Sequence, residues 1–470
     1  MSFGSPTSGQ GFDVATTVSQ IVTNLQAVET PWKSQLTSLQ SQDTALTSIG
    51  TDLGSLATAL QSLTDFDGVL SGKEGSSSDN SVVALTNATS AAAAGSHTLV
   101  VSQLAQTFSY ASGAINTSDT LSGTLKIGSQ AITISDGTVE DSSGDLIPQN
   151  NTLTTLASYI NAGDYGVEAN VVSVGNGQSE LALVSGSTGA AGAVTLDGSQ
   201  LTDSTTGSTT AGTVSFSQQQ QGQDAQFSLD GLPIMTSSSN TVTTAIQGVT
   251  LQLLNAAPSE TVQLEITNDN SQVESAVSSF VSAYNTVIGD LNTQEGNDSS
   301  GNPEPLYGNP LMATLQESLQ EAMNFTQSSG AITSLAQLGI TASTSYDGTL
   351  TLDTSTLDSM LNSNYQDVTN FFQASGSDTS FGANLTTTVN NLGNDSPSGA
   401  IYLTLQQDSS QESDLNTNIT NENASISAQQ TLLTTELNEA NYTLQAIPSQ
   451  IDEVNELYSA ITGYNQNTNG

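Results

Sequence analysis

The sequence has no cysteine and no arginine, and its only lysines are Lys33, Lys73 and Lys126. The absence of cysteine excludes disulfide scaffolds, thiol catalysis and cysteine-type zinc sites, so the fold must rely on the burial of apolar side chains. The scarcity of cations excludes nucleic acid as a partner, because no basic patch can neutralise phosphates. It also argues against binding to anionic membranes.

Histidine is also scarce, and aromatic residues make up only 5% of the chain. His97 is the single histidine, and the sequence contains no H-E-x-x-H, G-x-S-x-G or P-loop motif. The usual signatures of zinc proteases, serine hydrolases and nucleotide-binding enzymes are therefore missing. We predict that the protein is not an enzyme and uses no cofactor and no metal.

Carboxylates, by contrast, are abundant, and 45 acidic residues give the chain a net charge of −42. Neutral polar residues supply much of the rest of the surface, and regular apolar periodicities argue against disorder. We interpret this composition as that of a folded chain that works outside the cell. Our hypothesis is that its surroundings are acidic enough to protonate many carboxylates.

Long apolar runs are missing too, and the first residues show neither the basic nor the apolar segment of a cleaved signal peptide. Residues 1–12 are rich in glycine and serine and are predicted to form a disordered leader. We expect no membrane insertion, and we expect any export to use a route without signal-peptide cleavage.

The C-terminal part of the chain contains a long heptad pattern. Such a narrow apolar seam cannot bury itself, so it predicts a coiled-coil helix with a partner. The apolar residues recur in steps of three, four and seven, at Leu415, Ile419, Ile426, Leu433, Leu437, Ala440, Leu444, Ile447, Ile451, Val454, Tyr458 and Ile461.

The partner is predicted at the other end of the same chain, where a second seam of helical spacing starts at Val14. Asp13 is suited to cap this helix, and Pro31 predicts a break or kink in it. We predict that the two seams pair and mediate self-assembly. The residues assigned to this role are Val18, Val22, Leu25, Val28, Trp32, Leu36, Leu39, Leu433, Leu437, Leu444, Ile447, Ile451 and Val454.

Short strands separated by Gly, Asp and Ser turns follow the first helices. The predicted fold class is α+β, in a discontinuous multidomain chain with paired terminal coiled-coil helices, a helical domain next to them and inserted antiparallel β-rich head domains. The Thr- and Ser-rich run 201–213 is interpreted as a linker. The predicted boundaries are 1–45 and 430–470 for the coiled-coil leg, 46–75 and 270–429 for the helical domain with a small β-hairpin, 76–114 and 214–269 for the head, and 115–213 for an inserted outer β-rich domain.

Several short motifs occur in a definite order along nearly the whole chain. They are Gly11-Phe12-Asp13, the stretch GSHTLVVSQLA from Gly95 to Ala105, Ala225 to Gly231, FVSAYN from Phe280 to Asn285, Leu338-Gly339-Ile340, and DGTLTLD from Asp347 to Asp353. In this order and spacing they resemble the bacterial flagellar filament-capping family, also called flagellar hook-associated protein 2.

This resemblance implies a non-enzymatic cap at the distal tip of the filament. The family forms an oligomeric plate, expected to be a pentamer, that promotes folding and insertion of exported flagellin and prevents its loss to the medium. The resemblance also implies secretion through the flagellar type III export apparatus, a chaperone bound to the C-terminal helix, and contact with hook–filament junction proteins.

Two features depart from the family pattern. The shortage of lysine and arginine means that the charge pairs common in such assemblies cannot be carried over. Pro448 lies within the last helix and predicts an interruption of it, because proline lacks the backbone donor that a helix interior needs.

Two alternative functions stay open. A secreted surface adhesin would use the inserted β domain to bind host or matrix glycans, and this role is compatible with capping. A secreted acid-active hydrolase would use two facing carboxylates as general acid and base. Asp136, Glu140, Asp141 and Asp145 cluster in one loop, but they miss the spacing of an EF-hand, so we expect turn chemistry there rather than calcium binding.

We expect the protein to self-associate more tightly at about pH 4–5 than at about pH 8 in low salt. Crowded carboxylates repel one another when ionised and relax as they protonate near their ordinary pKa of about 4. Added salt should shrink the difference because it screens exposed charges. Sedimentation velocity at both pH values and at two salt concentrations measures the effect, and equal assembly at both pH values would contradict the prediction.

Overall fold

A computed structural model describes residues 12–204, 212–373, 379–393 and 395–463. The chain divides into two compact units. The helical unit combines residues up to Asp65 with residues from Glu274 onward, and the β unit is Phe66–Val273. Of the predicted leader, only Phe12 lies within the described residues.

The helices of the described residues lie mainly in the helical unit. None of them is both long and apolar enough to cross a membrane. Short 3-10 segments lie at Ala27–Glu29, Val69–Ser71, Ala190–Gly192 and Leu335–Leu338. The α-helices are α1 Val14–Gln26, α2 Thr30–Thr64, α3 Leu153–Ala162, α4 Asn270–Gln294, α5 Pro310–Met323, α6 Thr354–Phe372, α7 Phe381–Leu392 and α8 Ala400–Thr462.

The strands pair antiparallel throughout the described residues, which together with the long helices confirms the predicted α+β class. They are β1 Lys73–Ser77, β2 Val83–Ala88, β3 Gly95–Gln103, β4 Thr107–Ser112, β5 Ile115–Asn116, β6 Leu121–Ile127, β7 Gln130–Thr133, β8 Val167–Gly175, β9 Gln178–Thr188, β10 Leu196–Asp203, β11 Gly212–Thr213, β12 Phe216–Gln220, β13 Ala225–Leu229, β14 Met235–Ser237, β15 Thr241–Val242, β16 Val249–Leu253, β17 Val262–Asn268, β18 Ile340–Ala342 and β19 Leu350–Leu352.

The core of the helical unit forms where α2 contacts α7 and α8, and where α5 contacts α7. The heptad leucines of α2, such as Leu53, are fully buried. The rings of Phe371 and Phe381 stack with centroids 5.3 Å apart, and Phe280 meets Phe381 edge-on at 5.9 Å. Next to them, a Cβ on Gly382 would lie 2.2 Å from the carbonyl oxygen of Phe372, so this close approach requires glycine.

The small hairpin of β18 and β19 is tied to the helical unit through Asn285 on α4. The Asn285 Nδ2 donates to the Leu350 carbonyl at 2.8 Å, and its Oδ1 accepts from the Leu350 N–H at 2.7 Å. At the end of the hairpin, Asp353 caps α6 by accepting from the Ser355 N–H at 3.1 Å. The motifs around Asn285 and Asp353 therefore have structural roles.

The β unit contains two hydrophobic cores. The first lies in the sheet β1-β17-β3-β13-β14 and the sheet β15-β16-β2, and it includes Leu99 and Phe227. The second lies in the sheets β12-β4-β9-β5 and β11-β10-β6-β7, with β8 paired to β9 and α3 packed on them, and it includes Leu156 and Leu181.

Several boundaries differ from those predicted. α2 and α8 run through residues 45 and 430, so the predicted leg and helical domain form one unit. The β unit starts ten residues before the predicted start at 76, because β1 pairs with β17. The insert extends beyond 115–213, because β4 pairs with both β9 and β12.

The prediction of a linker over 201–213 is wrong for the part that the structure describes. Leu201 to Asp203 belong to β10, which pairs with β6, and Gly212–Thr213 form β11. Leu201 is buried in the second core, so a Thr- and Ser-rich composition here marks an edge of a sheet. Residues 205–211 lie outside the described residues.

Phe381→Ala should destabilise the helical unit by about 3–5 kcal/mol, because it leaves a cavity among stacked aromatic rings. Urea unfolding followed by the fluorescence of Trp32, the single tryptophan, measures this. The control is Tyr346→Ala, since Tyr346 is 97% exposed and its loss should change stability by less than about 0.5 kcal/mol. Equal effects of the two substitutions would contradict the described core.

Candidate functional site: the paired terminal helices

The first helix starts at a defined cap. Asp13 accepts a hydrogen bond from the Thr16 N–H at 3.1 Å and another from the Thr16 hydroxyl at 2.6 Å. The side-chain hydrogen bond from Thr16 is the largest cause that lowers the pKa of Asp13 below its ordinary value. The predicted N-cap is therefore confirmed, and it sets where α1 begins.

Two contacts establish that α8 runs antiparallel to α1 and α2. The Phe12 N–H donates to the Asn441 Oδ1 at 3.0 Å, and Asp43 lies beside Asp408 and Glu412. Phe12 and Asp43 are 31 positions apart, and Asn441 lies 29 and 33 positions after Glu412 and Asp408. The two contacts are therefore separated by about the same length of helix in α1–α2 and in α8, and the chain runs in opposite directions along the two.

α1 and α2 both contact α8, and most of the predicted N-terminal seam residues are at least partly buried. Val18 and Leu39 are buried, whereas Val22, Leu25, Trp32 and Leu36 are half-buried. Their spacing is that of a narrow seam flanked by polar positions.

Val28 departs from the expectation, since it is 54% exposed while Glu29 is fully buried. A regular alternation of steps of four and three from Leu25 leads to Glu29 and then to Trp32, so heptad counting could have found this position. The 3-10 segment Ala27–Glu29 precedes α2, where Pro31 stands in the first turn, as the predicted break requires.

Glu29 is tolerated in the seam because a cation lies one turn further along. The Lys33 Nζ is 2.6 Å from the Glu29 Oε2, and the Lys33 side chain remains 56% exposed. Sequence reasoning missed this pair, although a glutamate in a heptad position followed four residues later by lysine is a recognisable signal.

The C-terminal seam changes character along α8. Leu415 and Ile426 are buried, and Leu433, Leu437, Leu444 and Ile447 are half-buried. The last apolar positions of the described helix are exposed, from 47% to 75%, and these are Ile451, Val454, Leu457, Tyr458 and Ile461.

Pro448 does not interrupt α8, so the predicted break is wrong. The helix continues through Pro448 to Thr462. Proline removes one backbone hydrogen bond, and a helix of 63 residues keeps the bonds of the turns on both sides.

Other candidate residues serve local structure. The His97 Nδ1 lies 2.7 Å from the Asp230 Oδ2, and the Thr98 N–H donates to the Asp230 Oδ1 at 2.7 Å. The hydrogen bond from His97 is the largest cause that lowers the pKa of Asp230. The bonds of His97 and Thr98 to Asp230 fix the turn that follows β13.

The carboxylates Asp136 and Asp141 of the acidic loop accept hydrogen bonds from within the loop. Asp136 accepts from the Thr138 N–H at 3.0 Å, and Asp141 accepts from the N–H groups of Ser143 and Asp145 at 2.8 and 3.0 Å. Within the described ranges no cluster of three or more acidic or histidine side chains could hold a metal ion. The hydrogen bonds accepted by Asp136 and Asp141 are those of tight turns.

Comparison with known families assigns both ends of the chain. The family profile described as Flagellar hook-associated protein 2 C-terminus matches residues 222–460, and the profile Flagellar hook-associated protein 2 N-terminus matches residues 10–107. The chain belongs to the flagellar hook-associated protein 2 family. The N-terminal match includes α1 and α2, and the C-terminal match includes nearly all of α8, the helix that contacts them.

Individual relatives agree with this assignment. The chain is 26% identical over 246 residues to flagellar hook-associated protein 2 of Salmonella typhimurium, a match that covers 50% of this chain and 52% of the relative. It is 28% identical over 318 residues to the Escherichia coli K12 protein of that name, covering 64% of this chain and 67% of the relative. The chain thus spans about half to two thirds of these relatives.

The fold is also that of a solved family structure. The crystal structure of the flagellar cap protein FliD D1-D2-D3 domains from Escherichia coli is similar with a TM-score of 0.55 and 26% identity. The similarity covers 78% of this chain and 99% of that one. This likeness extends the family assignment to the arrangement of helices and sheets.

Cysteines introduced as Phe12→Cys and Asn441→Cys should crosslink, because the chain has no other thiol and these residues touch. Oxidation or a short bismaleimide, followed by gel mobility under denaturing conditions, measures the reaction. The matched control is Phe12→Cys with Tyr458→Cys, since Tyr458 lies 17 positions, or about 25 Å, further along α8. Crosslinking of the control pair at the same rate would contradict the described register.

Proposed function

We propose that this chain caps the flagellar filament at its distal tip as a homo-oligomer. In this role it promotes the folding and insertion of exported flagellin and prevents its loss to the medium. The observation that carries the proposal is the apolar end of α8, which continues the seam of the terminal helices while remaining exposed in the single chain. Membership of the hook-associated protein 2 family supports the same role.

The exposed end of α8 suits contact with another chain. Ile451, Val454, Tyr458 and Ile461 follow one another in steps of three, four and three, the spacing of a coiled-coil seam. Contiguous exposed apolar surface of this kind marks a protein-protein contact. We propose as its partners other cap subunits in a pentameric plate, hook–filament junction proteins, and a chaperone during type III export.

The hydrolase alternative is disfavoured by where the facing carboxylates lie. Asp43 faces Asp408 and Glu412, but this contact lies between α2 and α8, and Asp408 is 7% exposed. Glu412 borders a shallow groove lined by Ser, Thr and Asn side chains of α8, without an aromatic residue. A general acid and base need a substrate between them, and this arrangement leaves no room for one.

Val454→Glu should abolish capping while leaving the fold intact, because it places a carboxylate in the exposed seam where a partner chain would bury it. The test is filament growth in a strain that lacks its own cap protein, with flagellin in the medium quantified by immunoblotting. We expect short or absent filaments and released flagellin.

Asn455→Glu is the matched control, because it adds the same charge one position away, outside the seam. A second comparison separates the contact within the chain from contact between chains. Leu433→Glu should also lower the unfolding midpoint, whereas Leu432→Glu should not, since Leu432 is 58% exposed. Normal capping by Val454→Glu would overturn the role assigned to this surface.

A surface adhesin is a second candidate, and a groove in the insert favours it. The groove has a volume of about 480 Å³ and is lined by the rings of Tyr159 and Tyr165 together with Pro148 and Gln149. The two tyrosine rings lie 6.4 Å apart, and none of the lining residues is charged. Aromatic faces with a few polar groups suit a small neutral ligand such as a glycan unit.

Deletion of residues 107–222 should preserve capping and remove glycan binding. Gln106 and Gln223 exchange backbone hydrogen bonds of 2.9 and 3.3 Å, so a two-residue Asn-Gly turn can close the chain. Motility on soft agar and binding to immobilised glycans measure the two functions. Loss of motility, with the remaining part of the β unit still folded, would show that the insert takes part in capping.

A further inference from the structure

Carboxyl side chains meet at two helix interfaces of the helical unit. On α2, Asp43 lies beside Asp408 and Glu412 of α8, and Asp52 lies beside Asp290 of α4. Asp43 continues the heptad steps from Leu39 to Leu46, and Asp408 lies midway between the buried Ile401 and Leu415. Asp43 and Asp408 thus occupy seam positions.

At the contact between α2 and α8, two carboxyl oxygens lack a hydrogen-bond donor. The Oδ1 of Asp43 and the Oε1 of Glu412 are enclosed and accept no hydrogen bond from any N–H or O–H donor of the described residues. Asp408 is itself buried. A carboxylate only accepts hydrogen bonds, so two ionised carboxylates cannot bond to each other, whereas one protonated partner supplies an O–H donor.

Within the described ranges, no lysine or histidine side chain is shown beside these carboxyl groups. Lys33 is the only lysine or arginine in the sequence of the helical unit, and the single histidine, His97, belongs to the β unit. Lys33 lies ten positions before Asp43, about 15 Å along α2, and it pairs with Glu29.

The remaining charged groups around α2 are acidic. Besides Asp290, Asp408 and Glu412, Asp395 approaches α2, since its Oδ2 would lie 3.4 Å from a Cβ on Gly54. α7, which also packs on α2, contains no titratable residue.

We propose that the helical unit holds a shared proton at each of these two interfaces, so that mild acid stabilises it. The proton donates from one carboxyl group to its neighbour and removes the repulsion between them. The contact between α2 and α8 then tightens as the pH falls.

The direction of the titration agrees with this geometry. Burial, then the charge and hydrogen bond of Asp408 and the charge of Glu412, raise the pKa of Asp43 from 3.8 to about 6. Burial, then the hydrogen bond and charge of Asp290, raise the pKa of Asp52 from 3.8 to about 6.

The sign of the stability change follows from proton binding. Between about pH 4 and about pH 6 the folded chain keeps protons that the unfolded chain releases, so the free energy of unfolding falls as the pH rises through this window. Above it, both states are ionised and the destabilisation remains constant. Below about pH 4, caps such as Asp13 and Asp353, whose pKa values are lowered, lose their contribution.

Asparagine mimics a protonated aspartic acid in shape and in its ability to donate, so Asp43→Asn combined with Asp52→Asn tests the proposal. The full chain is unfolded by heat at pH values between about 4.5 and 8, with a chelator present to exclude metal ions. Trp32 on α2 reports on the helical unit.

For the unsubstituted chain we expect a melting temperature that falls as pH rises, with most of the fall between about pH 4 and about pH 6 and little change above that. The double variant should melt about 2–4 °C higher per interface at pH 8, and this difference should shrink steadily as the pH falls from about 6 toward about 4.5. This difference should persist in about 0.5 M salt, because groups in contact are screened far less than exposed charges.

The matched control is Asp414→Asn, which removes one exposed carboxylate of α8 and should follow the unsubstituted chain at every pH. If the double variant fails to fold, Asp408→Asn and Asp290→Asn, made separately, change the opposite partner at the same two interfaces. A double variant with the same pH dependence as the unsubstituted chain would overturn the proposal, as would one less stable than it at pH 8.

Discussion

The antiparallel contact of α1 and α2 with α8 is the constraint on which the helical unit depends. It joins residues more than 400 positions apart, as between Phe12 and Asn441. Closing so long a loop costs conformational entropy, which must be offset by burial of apolar side chains. The apolar side chains of α2 between Leu46 and Leu63 are fully buried and supply that burial where α2 meets its neighbours.

A chain with almost no cations cannot rely on ion pairs to stabilise its polar surface. The ion pairs of the described residues include Glu29–Lys33 and His97–Asp230. Carboxylates instead accept hydrogen bonds from backbone N–H groups at helix caps and tight turns, as at Asp13 and Asp353. These bonds lower the pKa of the accepting carboxyl groups and form with the ionised carboxylate. The paired carboxyl groups at the helix interfaces, in contrast, are proposed to share a proton.

The capping carboxylates and the paired carboxyl groups together define a pH range in which the helical unit is most stable. The capping carboxylates stay ionised in mild acid because their pKa values are lowered. Asp43 and Asp52 are already protonated there because their pKa values are raised to about 6. The helical unit therefore satisfies both sets of carboxyl groups between about pH 4 and about pH 6.

α8 serves two purposes with one periodic pattern. Its residues up to about Asn441 have α1 and α2 as partners within the chain, while the apolar positions from Ile451 onward are exposed. A seam that is satisfied inside the chain over one part and left available over the next suits a subunit that folds first and assembles afterward. This division underlies the proposed role at the filament tip.

The long terminal helices, the antiparallel strands between them and the need of each apolar seam for a partner could all be predicted from the sequence. These properties follow from local periodicity, which backbone geometry imposes on any segment. The ordered motifs also identified the family. Tertiary structure decided that Glu29 rather than Val28 enters the seam, that β1 pairs with β17, and that Asp43 meets Asp408. Such pairings join residues far apart in the chain, and they depend on which surfaces pack together rather than on any local pattern.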